Sequence, residues 1–181
     1  VDNDGEINYF LHPAGGPLRE DGTPATLDGS HGQVMTRIPG SWWKFEEEGN
    51  TKRALVGMQP FKGAHFVPEF FVGSFKAALD RPNDMLASVI NTSVDFRGGG
   101  NQDTWDAQPN TQLGKPVTVH SRGSFRTKAK NRGAGWFDAE YQYRKIMLWS
   151  MWIEFGQRNM QAAVNNTLTA EGYRQGGLGT G

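Results

Sequence analysis

From Asp138 to Gly156 the chain reads Asp-Ala-Glu-Tyr-Gln-Tyr-Arg-Lys-Ile-Met-Leu-Trp-Ser-Met-Trp-Ile-Glu-Phe-Gly. Tyr141, Leu148, Trp152 and Phe155 fall at helical spacing, and Ile146, Met147, Trp149, Met151 and Ile153 widen the apolar face. A helix apolar on nearly all sides belongs inside a core. The spacing predicts such a helix over about 138–156, with Asp138 as its cap and Gly156 as its stop. Everything else must then wrap around that rod. Glu154 lies within it, and a carboxylate so placed needs a partner, an Arg being the natural one in a structural ion pair.

The wrapping is built from short pieces. Residues 34–38 alternate apolar and polar until Pro39-Gly40; residues 41–46 resume the alternation, and 51–56 follow across Gly49-Asn50, a hairpin signal. Residues 70–77 read as a further strand, so 34–77 is expected to form a meander. Residues 7–11 are a candidate short strand. Residues 125–133 read as a short helix, capped by Ser124 and ended by Gly133. With 24 Gly and 21 aromatics (11 Phe, 6 Trp, 4 Tyr), the expectation is a loop-rich fold packed on large rings. The fold class is α+β: a small twisted antiparallel sheet on a long core helix, plus a short helix.

Residues 1–32 are polar and carry the turn signals His12-Pro13, Asp21-Gly22 and Asp28-Gly29. They are read as an extended arm that ties the domain to a neighbour, with 33–181 as the domain itself. The Gly-rich end, Gly176 to Gly181, reads as a truncation ahead of a following domain. Residues 95–116 form a long irregular loop, and loops of that length in a compact domain are often functional.

Charge and composition narrow the function. Lys+Arg and Asp+Glu are equal at 19 each, which leaves no electrostatic footprint for nucleic acid. No apolar run reaches the ~18 residues that would insert into a membrane. The start, Val1-Asp2-Asn3-Asp4, is not a signal peptide. With no cysteine there is no thiol nucleophile, no zinc finger and no disulfide. His12, His31, His65 and His120 lack metal-ligand spacing and are expected on surfaces or loops. Asp2-Asn3-Asp4-Gly5-Glu6 fails as a calcium loop, since Ile7 and Pro13 stand where a Gly and a Glu are required. Ser121 and Ser124 have no nucleophile-elbow frame. Gly98-Gly99-Gly100 lacks the Lys of a phosphate loop, and Glu46-Glu47-Glu48 reads as a solvated strand end. No enzyme activity is expected. The candidate ligand-binding residues lie in the long loop: Trp105 with Asp103 and Asp106, and Asn101, Gln108 and Asn110. An exposed ring beside carboxylates and amides suits sugar stacking or a protein hot spot, while Trp105 equally suits a plug holding its loop to the core.

The order of segments resembles the C-type-lectin-like domain of phage tail and fibre proteins. The stretches that carry it are Asn8-Tyr9-Phe10-Leu11, then Leu27-Asp28-Gly29-Ser30-His31-Gly32-Gln33-Val34-Met35-Thr36-Arg37-Ile38-Pro39, then Phe71-Val72-Gly73-Ser74-Phe75. After them come Phe125 to Trp136, Ile153 to Gln161, and the Gly-rich end. The fold is also similar to the formylglycine-generating-enzyme type and to retroelement-diversified variable proteins. The enzyme's catalytic cysteines have no counterpart here, so the resemblance implies scaffold without that activity. It implies a virion structural or receptor-binding module of a tail, fibre or head appendage, acting in host attachment or assembly. Homo-oligomers, trimers above all, other virion proteins and a host surface glycan or protein are the implied partners. Relatives display binding residues toward the C-terminus, which adds Tyr173 and Arg174. Gln108-Pro109-Asn110 resembles the calcium triplet of sugar-binding lectins, but its Trp-Asn-Asp companion is absent, so no cofactor is expected. The alternative is a carbohydrate-binding module of a bacterial surface protein, located at the cell surface.

Overall fold

The alternating stretches become strands, but not one sheet. The computed structural model describes residues 1–13, 16–96, 116–118, 120–160, 162 and 167. Its elements are β1 (Met35–Ile38), β2 (Ser41–Glu48), β3 (Thr51–Gly57), β4 (His65–Val67), β5 (Phe70–Gly73), β6 (Ala78–Asp80), β7 (Met85–Ala87), a 3-10 turn (Val94–Phe96), α1 (Arg122–Lys130) and α2 (Tyr141–Phe155). The class is α+β. The expected single meander is corrected to three small sheets: β1 with β5, β2 between β3 and β4, and β6 with β7. β1·β5, β2·β3 and β6·β7 are antiparallel. The chain divides into two compact units, Val1–Ser41 with Val67–Asp138, and Trp42–Phe66 with Ala139–Gly181.

In the first unit the centre is the β6–β7 hairpin. All three residues of β6 are buried, and Leu79 is wholly so. Two strands this short, buried or half-buried without alternation, leave no periodic trace in a sequence. Val34, Val89, Val117 and Ala129 join this core. α1 begins three residues earlier than expected, because Ser121 and not Ser124 is the cap: Ser121 Oγ accepts from Ser124 N at 3.1 Å. The helix turns Lys128 inward, where its ammonium pairs with Asp84. Asp84 sits at φ 52° in the hairpin turn, and its carbonyl accepts from Asn131 Nδ2 at 3.0 Å. The buried Arg132 donates to Leu86 O at 2.8 Å and to Asn3 Oδ1 at 2.7 Å. Gly133 (φ 143°) allows the following turn to pass residue 3, where a Cβ would stand 3.1 Å from Asn3 O. Trp136 Nε1 donates to that same oxygen at 2.8 Å.

Residues 1–32 lie within this unit. Asx-type turns organise them: Asp2, Asp21 and Asp28 each accept backbone N–H bonds from residues two ahead. The candidate strand at 7–11 narrows to one bridge, Leu11 with Arg19.

In the second unit β2 and β3 form the expected hairpin, with Glu48 opposite Thr51 and Gly49 at φ 56°, the conformation a type II′ turn needs at its first central residue. Trp43, 4% exposed, stacks on Phe45 at 5.9 Å; Phe45 meets Trp149 at 5.6 Å, and Trp149 meets Trp152 edge-on at 4.9 Å. The Lys145 ammonium lies 4.0 Å above the Phe45 ring. α2 is therefore not the interior rod expected from its sequence. Ile146 is its buried residue, Trp149 and Trp152 are half-buried, and Leu148, Met151, Ile153 and Phe155 are exposed. A three-stranded sheet covers one side of a helix and no more. The start also shifts: Glu140, without a side-chain bond, stands at the cap in place of Asp138, while Gly156 ends the helix in the left-handed conformation as expected. Glu154 is exposed, so water satisfies the carboxylate that was expected to need an Arg.

Candidate binding groove

The first unit carries an open groove of about 210 Å³ beside β1 and β5. One wall is the extended run through Tyr9, Phe10 and Leu11; the other is β1, with Met35 and Arg37, and Phe71 also lines it. Local bonds set both walls. Tyr9 OH donates to Thr26 O at 3.0 Å, and Asn8 Nδ2 donates to His31 O at 2.7 Å. The Tyr9 ring is clamped between the edge of His31, 6.0 Å away, and the Arg19 guanidinium, 4.5 Å from its centre. Behind β1, Ser88 Oγ donates to Val34 O at 2.7 Å and accepts from Phe75 N at 3.1 Å, while Gln33 Oε1 accepts from Ser88 N at 2.7 Å. This buried network fixes β1 from beneath. Arg37 reaches Glu69 with Nε and Nη2 at 2.7 and 2.6 Å in an exposed pair.

Asn101, Asp103, Trp105, Asp106, Gln108, Asn110, Tyr173 and Arg174 lie outside the described residues, as does the Gln108-Pro109-Asn110 triplet. Among the described residues no group of three or more His, Asp or Glu is placed to hold a metal ion. Glu46, Glu47 and Glu48 each have a cation beside them: Lys44 at 2.6 Å, Lys52 at 3.8 Å and Arg53 at 3.1 Å. The Lys44 hydrogen bond and charge hold Glu46 below the usual carboxylate range. No described helix is long and apolar enough to cross a membrane.

The groove residues were not singled out, yet a signal existed. Three quoted stretches, Asn8 to Leu11, Leu27 to Pro39 and Phe71 to Phe75, all contribute to its walls. Their convergence in space is a long-range property that none of them announces alone. No protein-family model matches the chain, and no curated protein or solved structure matches it.

Proposed function

We propose that the chain is a non-catalytic module of a phage virion, in a tail, fibre or head appendage, that binds a host receptor or another virion protein through the groove of the first unit. The observation that carries this reading is the convergence of three family-like stretches on one open, apolar cleft whose walls are held by local hydrogen bonds. Ligand sites are concave and mostly apolar, with a few placed polar groups. The reading calls for no cofactor, no nucleic acid and no membrane insertion. It places the chain in a homo-oligomer, a trimer by the habit of fibres. Exposed Tyr141, Leu148 and Phe155, seven residues apart in sequence, support such association. At about 3.6 residues per turn they lie on the side of α2 opposite Ile146, the pattern of a helix seam awaiting a partner.

Light scattering on the full chain, alongside a glycan array and pull-downs with virion proteins, tests this. The expected result is a mass that is a multiple of the 20.0 kDa chain, with binding to a virion or host component. A monomer that turns over a glycan contradicts it. Saturable sugar binding lost in Trp105→Ala would instead support the carbohydrate-binding module of a bacterial surface protein.

A further inference from the structure

We propose that the free edge of β3 pairs antiparallel with β3 of a second copy of this chain, in a register centred on Leu55; the joint uses neither the groove nor α2. β3 ends the sheet order β3-β2-β4, so one of its edges has no strand beside it. The hairpin register decides which groups that edge offers. Glu48 opposes Thr51 across a two-residue turn, which makes them a bonded pair, and bonded and non-bonded pairs alternate from there. Thr51, Arg53, Leu55 and Gly57 therefore spend their backbone groups on β2, while Lys52, Ala54 and Val56 turn theirs outward. Among the described residues no other backbone bond reaches those three. An unpaired edge is a template for another extended chain, and natural sheets guard such edges with charge, proline or a cover. Here the guard is one-sided. Lys52 and Arg53 stand at the turn end, while Ala54, Leu55, Val56 and Met58 carry no charge, and Leu55, Val56 and Met58 are exposed.

Self-pairing has few registers, because outward residues must meet outward residues, and the side chains choose among them. Centring on Lys52 or Arg53 sets like charges opposite each other, which destabilises a pair of strands. Centring on Ala54 sets each Arg53 opposite an apolar Leu55. Centring on Val56 leaves Leu55 facing Gly57 and runs past the end of the strand. Centring on Leu55 sets Leu55 on Leu55, Ala54 opposite Val56 on both sides, and Arg53 opposite Gly57, where no side chain stands. The charges then leave the middle of the joint and the exposed apolar residues fill it. Ala54 and the second copy's Val56 form a bonded pair, which exchanges two backbone hydrogen bonds, and the pair recurs by symmetry. Two three-stranded sheets become one, in the order β4-β2-β3-β3-β2-β4. A two-fold axis relates the copies, so the contact closes on itself. A trimer formed through another surface becomes a pair of trimers.

The chain has no cysteine, so one introduced thiol reports the register. Leu55→Cys places two thiols in a non-bonded pair, with Cα atoms about 4.5 Å apart, within disulfide reach. Arg53→Cys leaves its two thiols four positions out of register, about 13 Å apart and beyond that reach. Under mild oxidation of the full chain, Leu55→Cys is expected to give a disulfide-linked dimer at least about tenfold faster than Arg53→Cys. In sedimentation of the unmodified chain the expected species hold an even number of copies. Ala54→Pro removes an N–H that β2 does not use, and is expected to raise the dissociation constant about tenfold. Equal linkage of the two cysteine variants, no linkage, or a chain that stays monomeric overturns the joint. A mass of three copies overturns it and leaves the fibre reading in place, as does association that survives Ala54→Pro without Leu55→Cys linkage.

Discussion

His120 lies edge-on to the Phe125 ring, 5.8 Å between centres, with Nδ1 3.3 Å from Ser124 Oγ. Its Nε2 is buried without a hydrogen-bond partner among the described residues. Burial, then the Lys128 ammonium and, least of all, Arg81 hold its pKa below the usual 6.5, against an opposing pull from Asp84 that is weaker than that of Lys128. The unfolded chain therefore binds the proton more tightly than the folded one, and stability rises with pH between the two pKa values. The contribution is fully present above about pH 6.5 and is lost as pH falls through the folded value. Thermal midpoints of the chain and of His120→Gln, followed from about pH 7 to about pH 5, check this: the variant is expected to show the flatter decline, and parallel curves would contradict it. From sequence all four histidines read as surface or loop residues. His120 does lie in a loop; its packing against Phe125 of α1 is what local sequence does not encode.

At the scale of elements, α2 and the β2–β3 hairpin were legible because their signals are local: a long apolar run stopped by Gly156, and two alternating stretches across Gly49-Asn50. The pairing of β1 with β5, 32 or more residues apart along each pair, was not legible, since register between distant strands is settled by packing. Nor was the buried face of α2, because apolar residues surround it and no side is marked as inward. Substitution resolves the faces. Trp149→Ala breaks the stack with Phe45 and Trp152 and is expected to cost about 2–4 kcal/mol, near the low end for large core residues because Trp149 is half-buried. Leu148→Ala, one residue back and exposed, is expected to cost under about 1 kcal/mol. Urea denaturation of both variants checks this; equal costs would mean that the helix is covered on both sides.

For the molecule as a whole, the α+β class is legible in the sequence and the groove is not. The longest polar loop, residues 95–116, lies largely outside the described residues. The groove is built by short stretches near residues 10, 35 and 71, each ordinary in isolation. An open, largely apolar lining and walls held by local hydrogen bonds suit it to take a ligand. Amide hydrogen exchange reads those walls directly. In the free chain the amides of Thr36 and Ile38, bonded across to β5, are expected to exchange slowly, and those of the wall residues Tyr9, Phe10 and Arg37 to slow once a host or virion component binds. Binding that leaves exchange at the groove walls unchanged would contradict the groove as the binding surface.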